Sequence, residues 1–134
     1  MTDSKQTFCT SLAEDAEYDS GLRGYFEYRD LGINEATQGK FHGTICRVKP
    51  GFDGELNIRT TGVHRHLCDF QMFYVLKGWC SMYYEGEGEM TFREGDCCMQ
   101  PAGIVHNELQ CSSDFECMEL FSPAIHETVT VDEA

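Results

Sequence analysis

Three of the five histidines in this chain are spaced so that they could act together. His64 and His66 are two residues apart, so on a β-strand both imidazoles point to one face. Gln71 follows after a gap of four residues, enough to turn a corner and open the next strand. His106 lies 40 residues beyond His66, just after the turn signal Pro101-Ala102-Gly103. Taken singly, each is most simply a core or surface side chain. Taken together, three imidazoles facing one cavity leave several buried nitrogens in need of partners. One divalent ion satisfies them at once, and neutral imidazole is a common ligand for such an ion. His64, His66, Gln71 and His106 are therefore the candidate metal ligands.

Other side chains could serve chemistry beside such an ion. A buried tyrosine can donate a proton or hold an oxyanion. Tyr83 and Tyr84 are adjacent, so a strand sends one of them inward and the other outward. The plainer reading of either is an aromatic filling a barrel mouth. Arg59 is a candidate for holding a substrate carboxylate, set against the ordinary preference of arginine for solvent. Arg65 stands between two inward histidines and is expected to face out. His42 and His126 match no ligand position and read as structural or surface residues. The eight cysteines lack the C-x-x-C pairs of zinc ribbons and are read as small buried apolar residues in a reducing compartment.

Two imidazoles on one strand, a donor on the next and a fourth from a distant strand converge only if the sheet curls into a barrel. The rest of the chain reads that way. Residues 11–14, Ser-Leu-Ala-Glu, fit a capping box, but the apolar stripe behind them supports only a turn or two of helix. From Gly24 onward the signals are strands and turns. Strand-like runs cover 25–29, 41–49, 55–59, 64–66, 71–76, 79–84, 90–92, 97–100, 106–111 and 115–121. Gly62, Gly78, Gly86-Glu87-Gly88, Gly95-Asp96 and Ser112-Ser113-Asp114 punctuate them. Short strands with turns at this spacing indicate an all-β sandwich or barrel. Period-2 alternation places Phe73 and Val75 on the inward face with Gln71, and Met72, Tyr74 and Leu76 on the other. The division expected is a polar N-terminal segment 1–24, a barrel domain 25–126 and an acidic, frayed tail 127–134.

The bulk composition narrows the function. At 134 residues the chain has room for one domain with a real core, and its 41% hydrophobic and 25% charged residues are ordinary for a globular protein. Ten Lys and Arg against twenty-three Asp and Glu leave a formal charge of −13. That sign repels phosphate backbones and anionic lipid, so nucleic acid and membrane are poor partners. An anionic substrate stays compatible, because a buried cation dominates its local potential. No apolar run approaches the roughly 20 residues of a membrane span, and the first residues do not form a signal peptide. A cytoplasmic location is expected.

Residues 62–110 resemble a known superfamily. The run from Gly62 through His64-x-His66, four residues, Gln71, six residues and Gly78 is similar to the first cupin motif. The run from Gly95 through Pro101-x-Gly103-x-x-His106 to Gln110 is similar to the second, where Asn is more usual at the last position. The chain is thus identified as a member of the cupin superfamily, of the small single-domain kind. The resemblance implies a double-stranded β-helix, or jelly-roll barrel, with a metal site at the four residues named above. Two departures stand out. Arg59 occupies the position of the usual glycine five residues before the first histidine, and Gln71 replaces the acidic ligand. Small cupins with a His-His-Gln-His set include proteins resembling sugar-acid ring-opening proteins of pectin breakdown and some polyketide cyclases.

Four neutral donors leave a divalent ion its full +2 charge, which strengthens Lewis acidity. Nitrogen-rich ligation suits Zn, Ni or Fe better than Mn. The expected function is a Lewis-acid enzyme of isomerase, cyclase or lyase type acting on a small oxygenated or carboxylated organic substrate. An Fe- or Ni-dependent dioxygenase and a non-catalytic small-molecule binding or sensor module are the alternatives. Small cupins resemble dimers, and the outward apolar residues Met72, Tyr74 and Leu76 agree with a homodimer.

Overall fold

The computed structural model describes residues 5–20, 24–52, 55–58 and 62–131. Strands β1 (Asp19–Ser20), β2 (Phe26–Asp30), β3 (His42–Val48) and β4 (Glu55–Asn57) come first, followed by β5 (His64–His66), β6 (Phe70–Lys77), β7 (Trp79–Tyr84) and β8 (Gly88–Arg93). β9 (Cys97–Met99), β10 (His106–Ser112), β11 (Glu116–Ser122) and β12 (Thr128–Thr130) complete the chain. Every pairing among them is antiparallel. One sheet runs β1-β2-β3-β11-β6-β9; the other runs β12-β5-β10-β7-β8, with β4 also on β10. This is the all-β arrangement the turn spacing called for, in the jelly-roll form the resemblance implied.

Alternation decides what faces the core. On β7, Cys80, Met82 and Tyr84 are buried while Trp79, Ser81 and Tyr83 are half-exposed. On β6, Phe73 and Val75 are buried and share Gln71's side, whereas Tyr74 and Leu76 are exposed. Phe26, Ile58, Val75 and Cys111 are sealed completely between the sheets. Phe73 meets Phe92 edge-on with ring centroids 5.2 Å apart.

Two turns position the site. Gly78, between β6 and β7, has φ +70°, and a Cβ there would lie 3.0 Å from the Cα of Phe115 and collide with Ser112 and Asp114. Only glycine satisfies both the backbone and the space. Pro101 accepts the Ile104 N–H at 3.1 Å across a turn whose third residue, Gly103, has φ +75°. Gly103 also donates to the carbonyl of His66 at 3.1 Å, which ties the approach to β10 onto β5.

The helical content differs from the sequence reading. The capping-box segment forms a single 3-10 turn, Ala13–Asp15, with no side-chain cap. A one-turn helix α1, Ile33–Ala36, appears between β2 and β3, where only strand and turn signals were read. The N-terminal segment lies on the barrel: Arg29 donates to the Ser11 carbonyl at 3.0 Å, and Arg47 stacks 3.5 Å over the Tyr18 ring. The expected frayed tail is also corrected. Thr128–Thr130 form β12, paired with β5 through Thr128↔His66 and Thr130↔His64, because these residues have an open strand edge to complete. Residues 132–134 lie outside the described residues.

Candidate metal centre

β5 lies between β10 and β12, and His106 stands opposite His64 in register. The rings of His64, His66 and His106 cluster with centroids 4.3 to 5.1 Å apart. One ligand nitrogen from each lies within 4.8 Å of the other two, a set that could hold a metal ion. His64 and His106 are buried and His66 is half-buried.

The tautomers fit that role. His64 Nδ1 lies 2.7 Å from the Gly62 carbonyl, and His106 Nδ1 lies 3.1 Å from the Ile104 carbonyl. A carbonyl only accepts, so both Nδ1 atoms carry the proton and Nε2 carries the lone pair. His66 Nδ1 sits 2.9 Å from Thr128 Oγ1, and with the hydroxyl accepting, His66 takes the same form. Metal-binding histidines are commonly oriented in this way by the hydrogen bond at the other nitrogen.

The cluster opens on a cavity of about 220 Å³ in the barrel interior. Gln71 lines it, its Oε1 accepting from Cys68 Sγ at 3.8 Å. Arg65 is exposed, as its place between the two histidines required. Tyr83 faces away from the cavity, the reverse of a catalytic position, because β7 alternation turns it outward. Tyr84 points inward and packs 5.8 Å from the His106 ring, behind the cavity wall. Gln100 Nε2 donates to its hydroxyl, and Cys98 lies 3.6 Å from it. Burial holds the Tyr84 hydroxyl well above the usual phenol range, against the pull of Gln100, so it stays protonated. Arg59 falls outside the described residues.

Several cavity residues were missed from sequence, among them Gln100, Thr128 and three with titratable side chains. His126, read as structural or surface, lines the cavity with its ring 5.8 Å from His66. No spacing signal could have placed it there, since it sits on the connection between β11 and β12. Glu108 and Glu119 also line the cavity. Their signal was legible in principle: Glu108 is two residues after His106, and Glu119 is two after Cys117, each on an inward strand position. His42, half-buried, packs against Phe121 with centroids 5.0 Å apart, in keeping with a structural role.

No protein-family model matches this chain, and no curated protein does. Solved structures do. An RmlC-like cupin from Shewanella frigidimarina superposes with a TM-score of 0.67 at 22% identity, over 89% of this chain and 94% of its own. KdgF from Halomonas sp. gives 0.61 at 17% identity, over 87% of this chain and 94% of its own. Oxalate decarboxylase from Bacillus subtilis gives 0.64 at 19% identity over 98% of this chain, which spans only 33% of that enzyme's chain. The fold is the cupin fold. Within it, this chain carries a three-histidine cluster, at the histidines of the two motifs, that could hold a metal ion.

Proposed function

We propose that this protein is a metal-dependent enzyme of isomerase, cyclase or lyase type, acting on a small oxygenated or carboxylated organic substrate in the barrel cavity. The observation that carries the reading is the oriented imidazole cluster of His64, His66 and His106, and we propose Gln71, which lines the same cavity, as the fourth donor. A divalent ion there, of the Zn, Ni or Fe kind, supplies Lewis acidity toward a carbonyl or enolate oxygen. The chain supplies the rest. The Gly62 and Ile104 carbonyls and Thr128 orient the imidazoles. Aromatic walls such as Phe73 and Phe121 exclude water, and Glu108, Glu119 and His126 are the cavity groups able to accept or pass a proton. Tyr84 steadies Gln100 rather than touching substrate.

Elemental analysis tests this directly, on protein purified without chelator or nickel column and on the His64→Ala, His106→Ala double variant. Near-stoichiometric metal in the first and none in the second is the expected result. Metal-free wild type that binds no ion on titration overturns it and favours a metal-free binding module. Turnover under anaerobic conditions then separates this chemistry from an oxygenase.

Two further parts of the reading are supported by surface and composition. The outer face of β6 and β9 presents Tyr74, Leu76 and Met99, each at least 38% exposed, which suits a homodimer contact. Light scattering is expected to give twice the chain mass, with Tyr74→Glu shifting it toward the monomer; a monomeric wild type refutes the contact. No helix among the described residues is long and apolar enough to cross a membrane. The cytoplasm, which keeps cysteines as thiols, is the compartment we propose.

A further inference from the structure

We propose that Cys46 and Cys117 form a second ion site in the cavity wall, apart from the imidazoles, which binds one Cu(I) ion between two sulfurs. The site goes beyond the function proposed above and does not rest on it.

Four buried cysteines stand on four strands. Cys46 and Cys117 are partners in register on β3 and β11, and Cys80 and Cys111 are partners on β7 and β10 in the other sheet. None is more than 4% exposed. Cys117 donates a hydrogen bond to Cys46, so those two sulfurs are in contact. Electrostatic interactions link Cys46 to Cys111, Cys111 to Cys80 and Cys80 to Cys117, which closes a ring of four thiols between the sheets. Burial alone suits small apolar residues, but two thiols in contact are also a pair of soft donors. Cys46 and Cys117 line the cavity, as does Met82. Half-buried His66 and exposed Thr128 line it too, so the cavity reaches solvent there.

The donor set selects the ion. Thiolate and thioether sulfur are soft ligands that suit Cu(I). Zinc in a structural site takes four donors in a tetrahedron. Among the described residues, the histidine cluster is the only group of three or more His, Cys, Asp or Glu whose ligand atoms lie within 4.8 Å of one another. The thiols therefore offer a pair rather than a preformed tetrahedron, and two-coordinate geometry is one the closed-shell Cu(I) ion accepts. Protonation selects in the same direction. The hydrogen bond to Cys46 and burial hold the Cys117 thiol well above the usual range, so an ion has to displace protons to bind. Two S–H bonds break, two Cu–S bonds form and two protons leave to solvent, with no change in the oxidation state of copper. Cys80 and Cys111, both raised by burial, stay protonated and keep their S–H groups as neighbouring donors.

The test is an anaerobic titration of full-length protein with Cu(I) in competition with the chelator bicinchoninate, after zinc has been added to fill the imidazole centre. Zinc and copper are measured on every sample, and X-ray absorption reports the atoms bound to copper. Wild type is expected to take up one Cu(I) per chain with two sulfur neighbours. The Cys46→Ser, Cys117→Ser double variant is expected to bind about a hundredfold more weakly, or not at all, because hydroxyl oxygen is a hard donor. The Cys9→Ser, Cys97→Ser double variant, which removes the two exposed thiols, is expected to bind as wild type does. No uptake against the chelator, nitrogen in place of sulfur around copper, or unchanged affinity in the folded Cys46→Ser, Cys117→Ser variant overturns the proposal. Loss of uptake in the exposed-thiol variant overturns it as well. If the core variant does not fold, the coordination measured on wild type and on the exposed-thiol variant decides. Copper held by sulfur in protein that takes up no zinc keeps this site and removes the imidazole centre, whereas zinc without copper does the reverse.

Discussion

Thr128 holds His66 through a hydrogen bond that spans 62 positions of chain, and the dependence is open to test. Thr128→Val keeps the shape and removes the oxygen. Loss of an orienting partner of this kind typically weakens metal binding 10- to 100-fold, and that loss is expected in a competition titration with a metal chelator. An unchanged affinity would mean that the neighbouring backbone alone orients the ring. Gln71→Glu acts on charge instead of orientation. It lowers the net charge of the site by one and adds a carboxylate oxygen, so uptake of Mn relative to Zn is expected to rise. If Gln71 is not a ligand, the two metals respond alike. At this scale the sequence was legible for the imidazoles, because a two-residue spacing on a strand leaves only one arrangement. Thr128 and His126 were invisible, because neither belongs to a spacing pattern.

The elements that carry these residues depend on a few backbone positions. Gly78 permits the sharp return from β6, which bears Gln71, to β7, which backs His106 through Tyr84. Gly78→Ala forces a left-handed backbone on a residue with a Cβ and pushes that Cβ against Phe115, Ser112 and Asp114. A loss of about 2 kcal/mol or more is expected, read as a lower urea midpoint at unchanged slope. Much of the strand order was legible because turn residues end each run before the next begins. The helix α1 was not, because four residues carry too little periodicity to separate a helical turn from a loop. The tail was misjudged for a related reason. Thr128-Val129-Thr130 is a fair strand sequence, but only the free edge of β5, built from residues far upstream, makes it one.

The whole molecule responds to alkali through its buried cysteines. Cys46 pairs in register with Cys117 and Cys80 with Cys111, and all four are buried. Burial pushes the Cys111 thiol up to about 12 and raises Cys80, with the Glu108 carboxylate adding to both. The hydrogen bond that Cys117 donates to Cys46 raises Cys117 further, while Cys46, lowered by accepting that bond, is raised overall by burial, Glu119 and Glu108. A thiol whose native pKa lies above its unfolded value stabilises the fold fully below about pH 9. The stabilisation is lost as pH rises toward the native value, because the unfolded chain then binds fewer protons. Each such thiol removes about 1.4 kcal/mol per pH unit over that window. The melting temperature is expected to fall steeply above pH 9, and Cys111→Ala should flatten the fall. An equally steep fall in that variant would remove Cys111 as a cause and leave the other buried thiols and the net charge, which at −13 already opposes compactness at pH 7.

Sequence alone was enough for the all-β barrel and for the three histidines at its centre. Strand alternation and turn residues are local properties, and two imidazoles on one strand must share a face. It could not say what else shares the cavity. Glu108 and Glu119 stand on strands of different sheets, so alternation could turn each inward but could not bring the two together, and β12 exists only because β5 offers an edge. Gln100, His126 and Thr128 reach the cavity by the same closure. Proximity between residues far apart in the chain is set by how the two sheets pack, and packing is a property of the whole fold rather than of any segment of it.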